Sequence, residues 1–142
     1  MFIGHFALAY ILIRLFPGIP PIVPLLGVGF PDLLWPFLII SGIEKVSIDP
    51  KSPLQKDIKF TSYPYSHSLI LGTLIACAPG LGLAYFMGPL AGAIFVIASM
   101  SHWFLDSIVH LQDLPLLGFG QDPKVGFGLW DRPKVAFIIE YL

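Results

Sequence analysis

The feature that most constrains this chain is a run of 46 residues, from Phe60 to Leu105, without Asp, Glu, Lys or Arg. As α-helix, with a rise of ~1.5 Å per residue, such a run crosses a ~30 Å hydrocarbon layer twice. A soluble domain carries about 25% charged residues, whereas this chain has 12% and a mean hydropathy of +0.81. The sequence therefore predicts a polytopic membrane protein.

The same composition excludes several other classes of protein. With 56% hydrophobic residues, the chain is neither a water-soluble enzyme nor a disordered tail. Cys77 is the single cysteine, so no internal disulfide can form and a disulfide-rich secreted scaffold is excluded. With a net charge of −1, the chain lacks the positive electrostatic potential that attracts nucleic-acid phosphates, so no nucleic-acid partner is expected. The expected partner is the lipid bilayer.

Clusters of proline, glycine and charge divide the 142 residues into the helices of a single integral membrane domain. The Met87-Gly88-Pro89 segment is the natural turn inside the uncharged run. The predicted fold is all-α, a polytopic transmembrane bundle of four to five helices with short connections and two polar loops. The predicted helices are residues 2–16, 22–43, 67–86, 90–110 and 133–142. The last is too short to span a bilayer, so it is either the start of a truncated fifth helix or an interfacial segment.

The basic residues predict the orientation. Four helices in series place the N-terminus and the polar loops 44–65 and 111–132 on one side. Seven of the eight basic residues lie on that side or at its edge, namely Lys45, Lys51, Lys56, Lys59, Lys124, Arg132 and Lys134. Arg14 alone lies on the other side. The positive-inside rule predicts that the loops and the N-terminus face the cytoplasm.

Ionisable side chains are costly inside a membrane, so each one is a functional candidate. All four histidines and two aspartates fall in or beside the predicted spans, namely His5, Asp32, His67, His102, Asp106 and His110. The spacing of His102, Asp106 and His110 is i, i+4, i+8, which places them on one face of one helix. Asp32 lies near mid-membrane between Pro31 and Pro36, where the helix is expected to bend and expose backbone groups.

The predicted topology brings these candidates to one site that is open to the cytoplasm. We expect His5, His67, His102 and Asp106 to bind a metal ion, with Asp32 as a further ligand or as the base. Imidazole and carboxylate match zinc first, with manganese or iron as alternatives. Such an ion lowers the pKa of a bound water toward ~7 and supplies a hydroxide nucleophile. An unligated Asp32 or Asp106 would act as the catalytic general base.

Each candidate also has a purely structural interpretation. His102 and Asp106 would then form a buried pair, and Asp32 would be satisfied by Arg14 or by a freed backbone amide. His5 would be an interfacial residue.

The segment that leads into the third helix has its own alternatives. His67 would be an interfacial residue, with Tyr63 and Tyr65 anchored among the headgroups. Ser66 is expected to cap the third helix, whose free backbone amides could hold an anion.

The loop after the fourth helix carries weaker candidates for substrate contact. His110, Lys124 and Trp130 would face a phosphate or a lipid headgroup above the site. The alternative is a glycine-rich interfacial loop that Trp130 anchors at the membrane surface.

A set of short motifs carries a family resemblance across most of the chain. These motifs are Gly4-His5, Pro31-Asp32, Ser66-His67-Ser68 and the pair His102 and Asp106 at a spacing of four. The set resembles the bacterial family of LexA-binding, inner-membrane-associated metal-dependent hydrolases. The resemblance implies a cytoplasmic-membrane location and metal ligands at His5, Asp32, His67, His102 and Asp106. Here Leu33-Leu34-Trp35 follows Asp32, where that family commonly has a second acidic residue, and this departure puts a second metal ion in doubt.

Three function classes follow from these residues. The first is a membrane-bound, metal-dependent hydrolase of an amphiphilic, phospholipid-like substrate, acting at the cytoplasmic membrane face. The second is a small transporter or permease in which the His and Asp residues relay protons or ions, and four helices would then imply a homo-oligomer. The third is a bundle that binds haem between two histidines.

Overall fold

The computed structural model describes residues 2–47 and 59–141, and most of these residues are helical. Lys51 and Lys56, which contribute to the predicted orientation, lie outside the described residues, as do the two terminal residues. The helices are α1 (Phe2–Leu15), α2 (Ile22–Ile40), the single turn α3 (Pro64–His67), α4 (Leu69–Met87), α5 (Pro89–Val109) and α6 (Pro133–Tyr141). A 3₁₀ turn at Leu129–Asp131 precedes α6.

Three helices in the described part of the chain are long and apolar enough to cross a membrane, namely α2, α4 and α5. A shorter apolar helix, Gly4–Leu15, lies within α1. The structure thus contains three candidate membrane-spanning helices among the segments predicted to span. The turn predicted at Met87-Gly88-Pro89 lies between α4 and α5, where Gly88 has a φ of 95° that favours glycine.

Two short antiparallel hairpins extend this helical frame, and the sequence analysis did not predict them. Strand β1 (Lys45–Ser47) pairs with β2 (Lys59–Ser62), and β3 (Leu114–Pro115) pairs with β4 (Lys124–Val125). Both hairpins belong to the loops that were expected to be polar and irregular. They have too few residues for an alternating hydrophobic pattern to mark them in the sequence.

The hairpin β1–β2 begins where α2 ends, three residues earlier than predicted. Gly42 takes a φ of 75°, and the amides of Ile43 and Glu44 both donate to the carbonyl of Leu38. This turn satisfies a carbonyl at the end of the helix and reverses the chain direction. As a consequence, Glu44 points back toward the helices rather than into solvent, and it is 1% exposed.

Close backbone contact between α2 and α5 sets the position of the polar residues. A Cβ atom added at Gly27 would lie 2.7 Å from the Cβ of Ala98 and 2.8 Å from the carbonyl oxygen of Phe95. Only glycine permits this approach. Ala98 lies one helical turn before His102 and two turns before Asp106, so all three share the face of α5 that contacts α2.

The loop after α5 folds back onto the end of that helix. The amide of Phe127 donates to the carbonyl of Ser107, and the amide of Gly128 donates to the carbonyl of His110. These bonds satisfy carbonyl groups that the helix leaves without intrahelical donors. The loop thereby brings Trp130 against His110, with ring centroids 4.3 Å apart, and Trp130 is 8% exposed.

Candidate metal centre

The structure brings together all five residues that the sequence predicts as metal ligands. They come from the start of α1 (His5), the middle of α2 (Asp32), the end of α3 (His67) and the last two turns of α5 (His102 and Asp106). The three histidines and Asp106 are at least nine-tenths buried. Asp32 keeps 30% of its side chain exposed.

Asp106 is the residue around which the others lie. Its Oδ1 is 3.2 Å from His5 Nε2. Its Oδ2 is 3.2 Å from His102 Nε2, 3.9 Å from His67 Nε2 and 3.7 Å from His110 Nε2. One carboxylate is thus within 4 Å of all four histidines of the chain, while its side chain is 4% exposed.

Asp32 supplies the second carboxylate. Its Oδ1 lies 3.3 Å from His67 Nε2 and 3.6 Å from His102 Nε2. In the described residues the ion-pair partners of Asp32 are these two histidines and not Arg14, so the part of the structural alternative that named Arg14 does not hold. Helix α2 continues through both Pro31 and Pro36, although neither residue has an amide to donate.

A backbone carbonyl fixes the orientation of His102. His102 Nδ1 lies 2.7 Å from the carbonyl oxygen of Val28, which can only accept a hydrogen bond, so Nδ1 carries the proton. In the neutral ring, Nε2 then has a lone pair. This buried Nε2 lies near carboxylates of Asp32 and Asp106 but has no partner with hydrogen-bond geometry among the described residues. A lone pair that faces two carboxylates is the arrangement that a cation would stabilise.

A buried relay of two hydrogen bonds fixes His67 in the same way. The Ser66 hydroxyl donates to Glu44 Oε2 at 2.6 Å, so its proton is not available to His67. Because Ser66 Oγ is also 2.7 Å from His67 Nδ1, it must accept from that nitrogen. Nδ1 therefore carries the proton, and His67 Nε2 lies 3.3 Å from Asp32 Oδ1 in hydrogen-bond geometry, where it donates only when both ring nitrogens carry protons.

Glu44 is the residue that the sequence analysis missed. Besides the Ser66 hydroxyl, it accepts the amides of Tyr65 and Ser66, at 2.8 and 2.9 Å. These are the free amides that were expected to hold an anion, and the anion is the side chain of Glu44 itself. The expected helix cap is also corrected, because Ser68 rather than Ser66 caps α4 and accepts from the amide of Gly72. The sequence offers one signal for Glu44, a single carboxylate directly after an apolar helix.

His5 enters the cluster in a different geometry. Its ring stacks on the ring of His102, with centroids 3.8 Å apart and planes 5° from parallel. An imidazole nitrogen binds a metal in the plane of its own ring, and two stacked planes share no such point. By contrast, the rings of His67 and His102 are inclined by 70° and can converge on one ion.

Two groups of side chains in the described residues could hold a metal ion, and both include His102. One is His5, His102 and Asp106, and the other is Asp32, His67 and His102. Four donors placed about 2.0–2.1 Å from a zinc ion at tetrahedral corners lie about 3.3–3.4 Å apart. The four His–Asp separations among Asp32, His67, His102 and Asp106 are 3.2–3.9 Å. These His–Asp separations are close to the spacing expected of donors around one zinc ion, and none of them involves the stacked ring of His5.

The residues with weaker predictions for substrate contact lie around this cluster. His110 Nδ1 is 3.1 Å from Asp113 Oδ1, and its ring lies between Phe60 and Trp130. Trp130 is buried, which does not fit the alternative in which it anchors the loop at the membrane surface. Lys124 is about half exposed, with its ammonium 3.9 Å from Asp122.

Tyr63 does not fit the alternative in which it is anchored among the headgroups. The side chain is 2% exposed and its ring lies 5.6 Å from the ring of His67. Burial, followed by the nearby carboxylate of Asp113, raises the pKa of the Tyr63 hydroxyl above its ordinary range. The hydroxyl is therefore neutral and forms part of the wall around the imidazoles. Tyr65 is 42% exposed, as an interfacial residue would be.

No protein family, curated protein or solved structure matches this chain.

The Glu44–Ser66–His67 relay yields a test in metal-free protein. In Glu44→Gln the side-chain oxygen can still accept the two amides, but the new NH₂ group donates to Ser66 Oγ. The Ser66 hydroxyl must then donate to His67 Nδ1, so the proton of the ring moves to Nε2. We expect ¹⁵N NMR of the histidine side chains to report this tautomer change at His67.

The tautomer of His102 serves as an internal control, because the Val28 carbonyl holds it in both proteins. Asp122→Asn is the matched control variant, since Asp122 also accepts backbone amides but belongs to the loop after α5. An unchanged His67 tautomer in Glu44→Gln would contradict the relay.

Proposed function

We propose that this chain is a membrane-bound, metal-dependent hydrolase, and that its site acts on an amphiphilic, phospholipid-like substrate. The observation that carries the proposal is His102 Nε2, a buried nitrogen that lies 3.2 Å from Asp106 and 3.6 Å from Asp32 without hydrogen-bond geometry to any described residue. A buried charge without compensation costs several kcal/mol. A divalent cation at this point would compensate both carboxylates at once.

The proposed ligands are His67, His102 and Asp106, with Asp32 on the exposed side of the same site. Two imidazole nitrogens and carboxylate oxygens suit zinc first, then manganese or ferrous iron. His5 has a supporting role in this proposal, because it holds Asp106 Oδ1 while Oδ2 faces the cation. This differs from the resemblance, which implies that His5 is itself a ligand.

Hydrogen bonds to the ring nitrogens that face away from the cation support this choice of ligands. Metal-binding histidines usually donate their other ring nitrogen to a carbonyl or carboxylate, which fixes the tautomer and orients the ring. His102 donates to the carbonyl of Val28, and His67 donates to Ser66, which in turn donates to Glu44. Each proposed histidine ligand thus has the support that a metal site requires.

When bound, a divalent cation would polarise a water and a substrate oxygen, which is the chemistry needed for hydrolysis. Asp32 is the proposed general base, because its carboxylate is exposed enough to meet that water whereas Asp106 is enclosed by imidazoles. A positioned carboxylate of this kind takes the proton that the water loses as it attacks. Asp106 would remain ionised and hold the cation throughout.

The membrane setting supports an amphiphilic substrate. Asp32, His102 and Asp106 all belong to helices that could cross a membrane. We propose that α1, α2, α4 and α5 form a four-helix transmembrane domain, with α6 at its interface. The end of this bundle that holds the site also carries Lys45, Lys59, Lys124, Arg132 and Lys134, which favours a cytoplasmic location for the site.

The proposed family is that of the LexA-binding, inner-membrane-associated metal-dependent hydrolases, which places the chain in a bacterial inner membrane. The compactness of the cluster favours this function over a proton or ion relay, because a relay extends its groups along a path across the membrane. The close stacking of His5 on His102, with Asp106 against both, disfavours haem, which needs a porphyrin-sized gap between two histidines.

Removal of a proposed ligand tests metal binding. We expect wild-type protein, purified in detergent, to contain about one divalent ion per chain. We expect His102→Ala to lower that content by at least about tenfold, since even second-shell changes cost 10–100-fold in affinity. Elemental analysis measures both contents, and His102→Gln provides a second variant that keeps a polar side chain.

Ser101→Ala is the matched control for this experiment. Ser101 is the neighbour of His102, but its hydroxyl bonds to the Ala98 carbonyl of its own helix, so metal content should not change. Circular dichroism checks that all variants keep their helices. A metal-free wild type, or equal metal content in wild type and both His102 variants, would rule the proposal out.

The Asp32→Asn variant tests whether Asp32 acts as the general base or as a metal ligand. We expect turnover to fall by about 10²–10⁴-fold, the usual contribution of a general base, while most of the metal is retained. Mass spectrometry of the products from phosphatidic acid and phosphatidylglycerol in mixed micelles measures turnover. Asp131→Asn, which changes an exposed carboxylate outside the cluster, is the control. Loss of metal as complete as in His102→Ala, or unchanged turnover, would contradict the role of Asp32 as the base.

A further inference from the structure

An apolar groove leads to the exposed side of the candidate metal centre. A cavity of about 290 Å³ lies between α1 and α2, and Asp32 is the one polar side chain among the residues that line it. The other lining residues are Phe6, Leu25, Leu26, Gly29 and Leu33. Its volume is close to the lower end of the range for small-molecule sites, about 300–1,000 Å³. The groove can therefore hold part of a ligand rather than a whole one.

The groove meets the cluster where the cluster is accessible. The side chain of Asp32 is 30% exposed, whereas the side chains of His67, His102 and Asp106 are 8%, 1% and 4% exposed. A substrate that approaches through the groove therefore reaches Asp32 first. The groove and the cluster are continuous, because the Asp32 carboxylate belongs to both.

The groove follows α2 away from the end of the helix that carries the site loops. From Asp32 back to Leu25 is seven residues, or about 10 Å along the helix axis. Because α2 is long and apolar enough to cross a membrane, this direction leads into the hydrocarbon layer. A lipid whose polar group lies at Asp32 would have its acyl chain in the same direction.

Gly29 keeps the middle of the groove open. A Cβ atom added there would meet only the Cδ1 atom of Leu33, at an ordinary contact distance of 3.9 Å. Gly29 differs in this respect from Gly27, two residues earlier, which is in close contact with α5. A larger side chain at Gly29 would therefore fill the groove without disturbing the packing of the helices.

We propose that this groove binds an acyl chain of the substrate and so guides its polar group from the bilayer to Asp32. This inference rests on the proposed hydrolase function and specifies its substrate class as a lipid that enters sideways from the membrane. A water-soluble phosphoester would gain nothing from an apolar groove of this kind.

Photolabelling in a bilayer tests the proposal. The protein is reconstituted into vesicles of phosphatidylethanolamine and phosphatidylglycerol, with a fraction of the phosphatidylglycerol carrying a diazirine on one acyl chain. We expect labelling, mapped by mass spectrometry, to be concentrated on Phe6 and on the segment from Leu25 to Leu33. Gly29→Leu adds four carbon atoms and should lower that labelling by at least about tenfold, since a single misplaced methylene in a hydrophobic pocket already costs about 10–200-fold.

Gly82→Leu is the matched control. Gly82 lies on α4, is exposed, and has open space around its Cα, so the same substitution there leaves the groove unchanged. Gly29→Ala is a milder second variant, for which an intermediate decrease is expected. Labelling spread evenly over the apolar surfaces of α2 and α4, or labelling that Gly29→Leu leaves unchanged, would overturn the proposal.

Metal content, measured on the same preparations, distinguishes failure of the groove proposal from failure of the proposed hydrolase function. Bound metal together with labelling that is insensitive to Gly29→Leu overturns the acyl-chain groove alone. A metal-free wild type overturns the hydrolase and, with it, the substrate role of the groove. Bound metal with labelling that Gly29→Leu abolishes supports both.

Discussion

The burial of Asp106 among imidazoles is the constraint on which the rest of this structure depends. A carboxylate that is 4% exposed, on a helix apolar enough to cross a membrane, must be compensated locally. Four histidines lie within 4 Å of it, drawn from both ends of the sequence. The imidazoles compensate this charge in part, and Asp32 adds a second carboxylate nearby. Under the proposed function, a bound cation would compensate both carboxylates.

The fold provides rigid support for each element of this cluster. Gly27 lets α2 approach α5 closely, so that the carbonyl of Val28 can hold the His102 ring. The turn after α2 directs Glu44 inward, where it accepts two amides and orients Ser66. The side chains that face the metal position are therefore held by the backbone and by buried hydrogen bonds. Such preorganisation is what a metal site or an active site requires.

The hydropathy of the sequence, and the few ionisable residues within its apolar segments, predicted the long helices and the residues of the cluster. The bounds of α4 and α5 lie within two residues of the predicted ones, because long apolar segments between glycine and proline leave few alternatives. His5, Asp32, His67, His102 and Asp106 could be selected because ionisable groups are rare in such helices.

What the sequence could not provide depends on three-dimensional contacts. The inward turn of Glu44 follows from one hydrogen-bonding pattern at the end of α2, and the stacking of His5 on His102 follows from how α1 meets α5. The burial of Tyr63 and Trp130 depends on two loops whose strands are too short to leave a periodic signal. The sequence alone therefore left the membrane interface as an alternative place for both aromatic residues.

X-ray absorption spectroscopy at the metal edge of the purified protein tests the central claim most directly. The account predicts one ion per chain, with a first shell of nitrogen and oxygen at about 2.0–2.1 Å, as for zinc, and scattering from two imidazoles. Absence of an ion in the purified protein would contradict it. So would a shell that contains sulfur or the four in-plane nitrogens of a porphyrin.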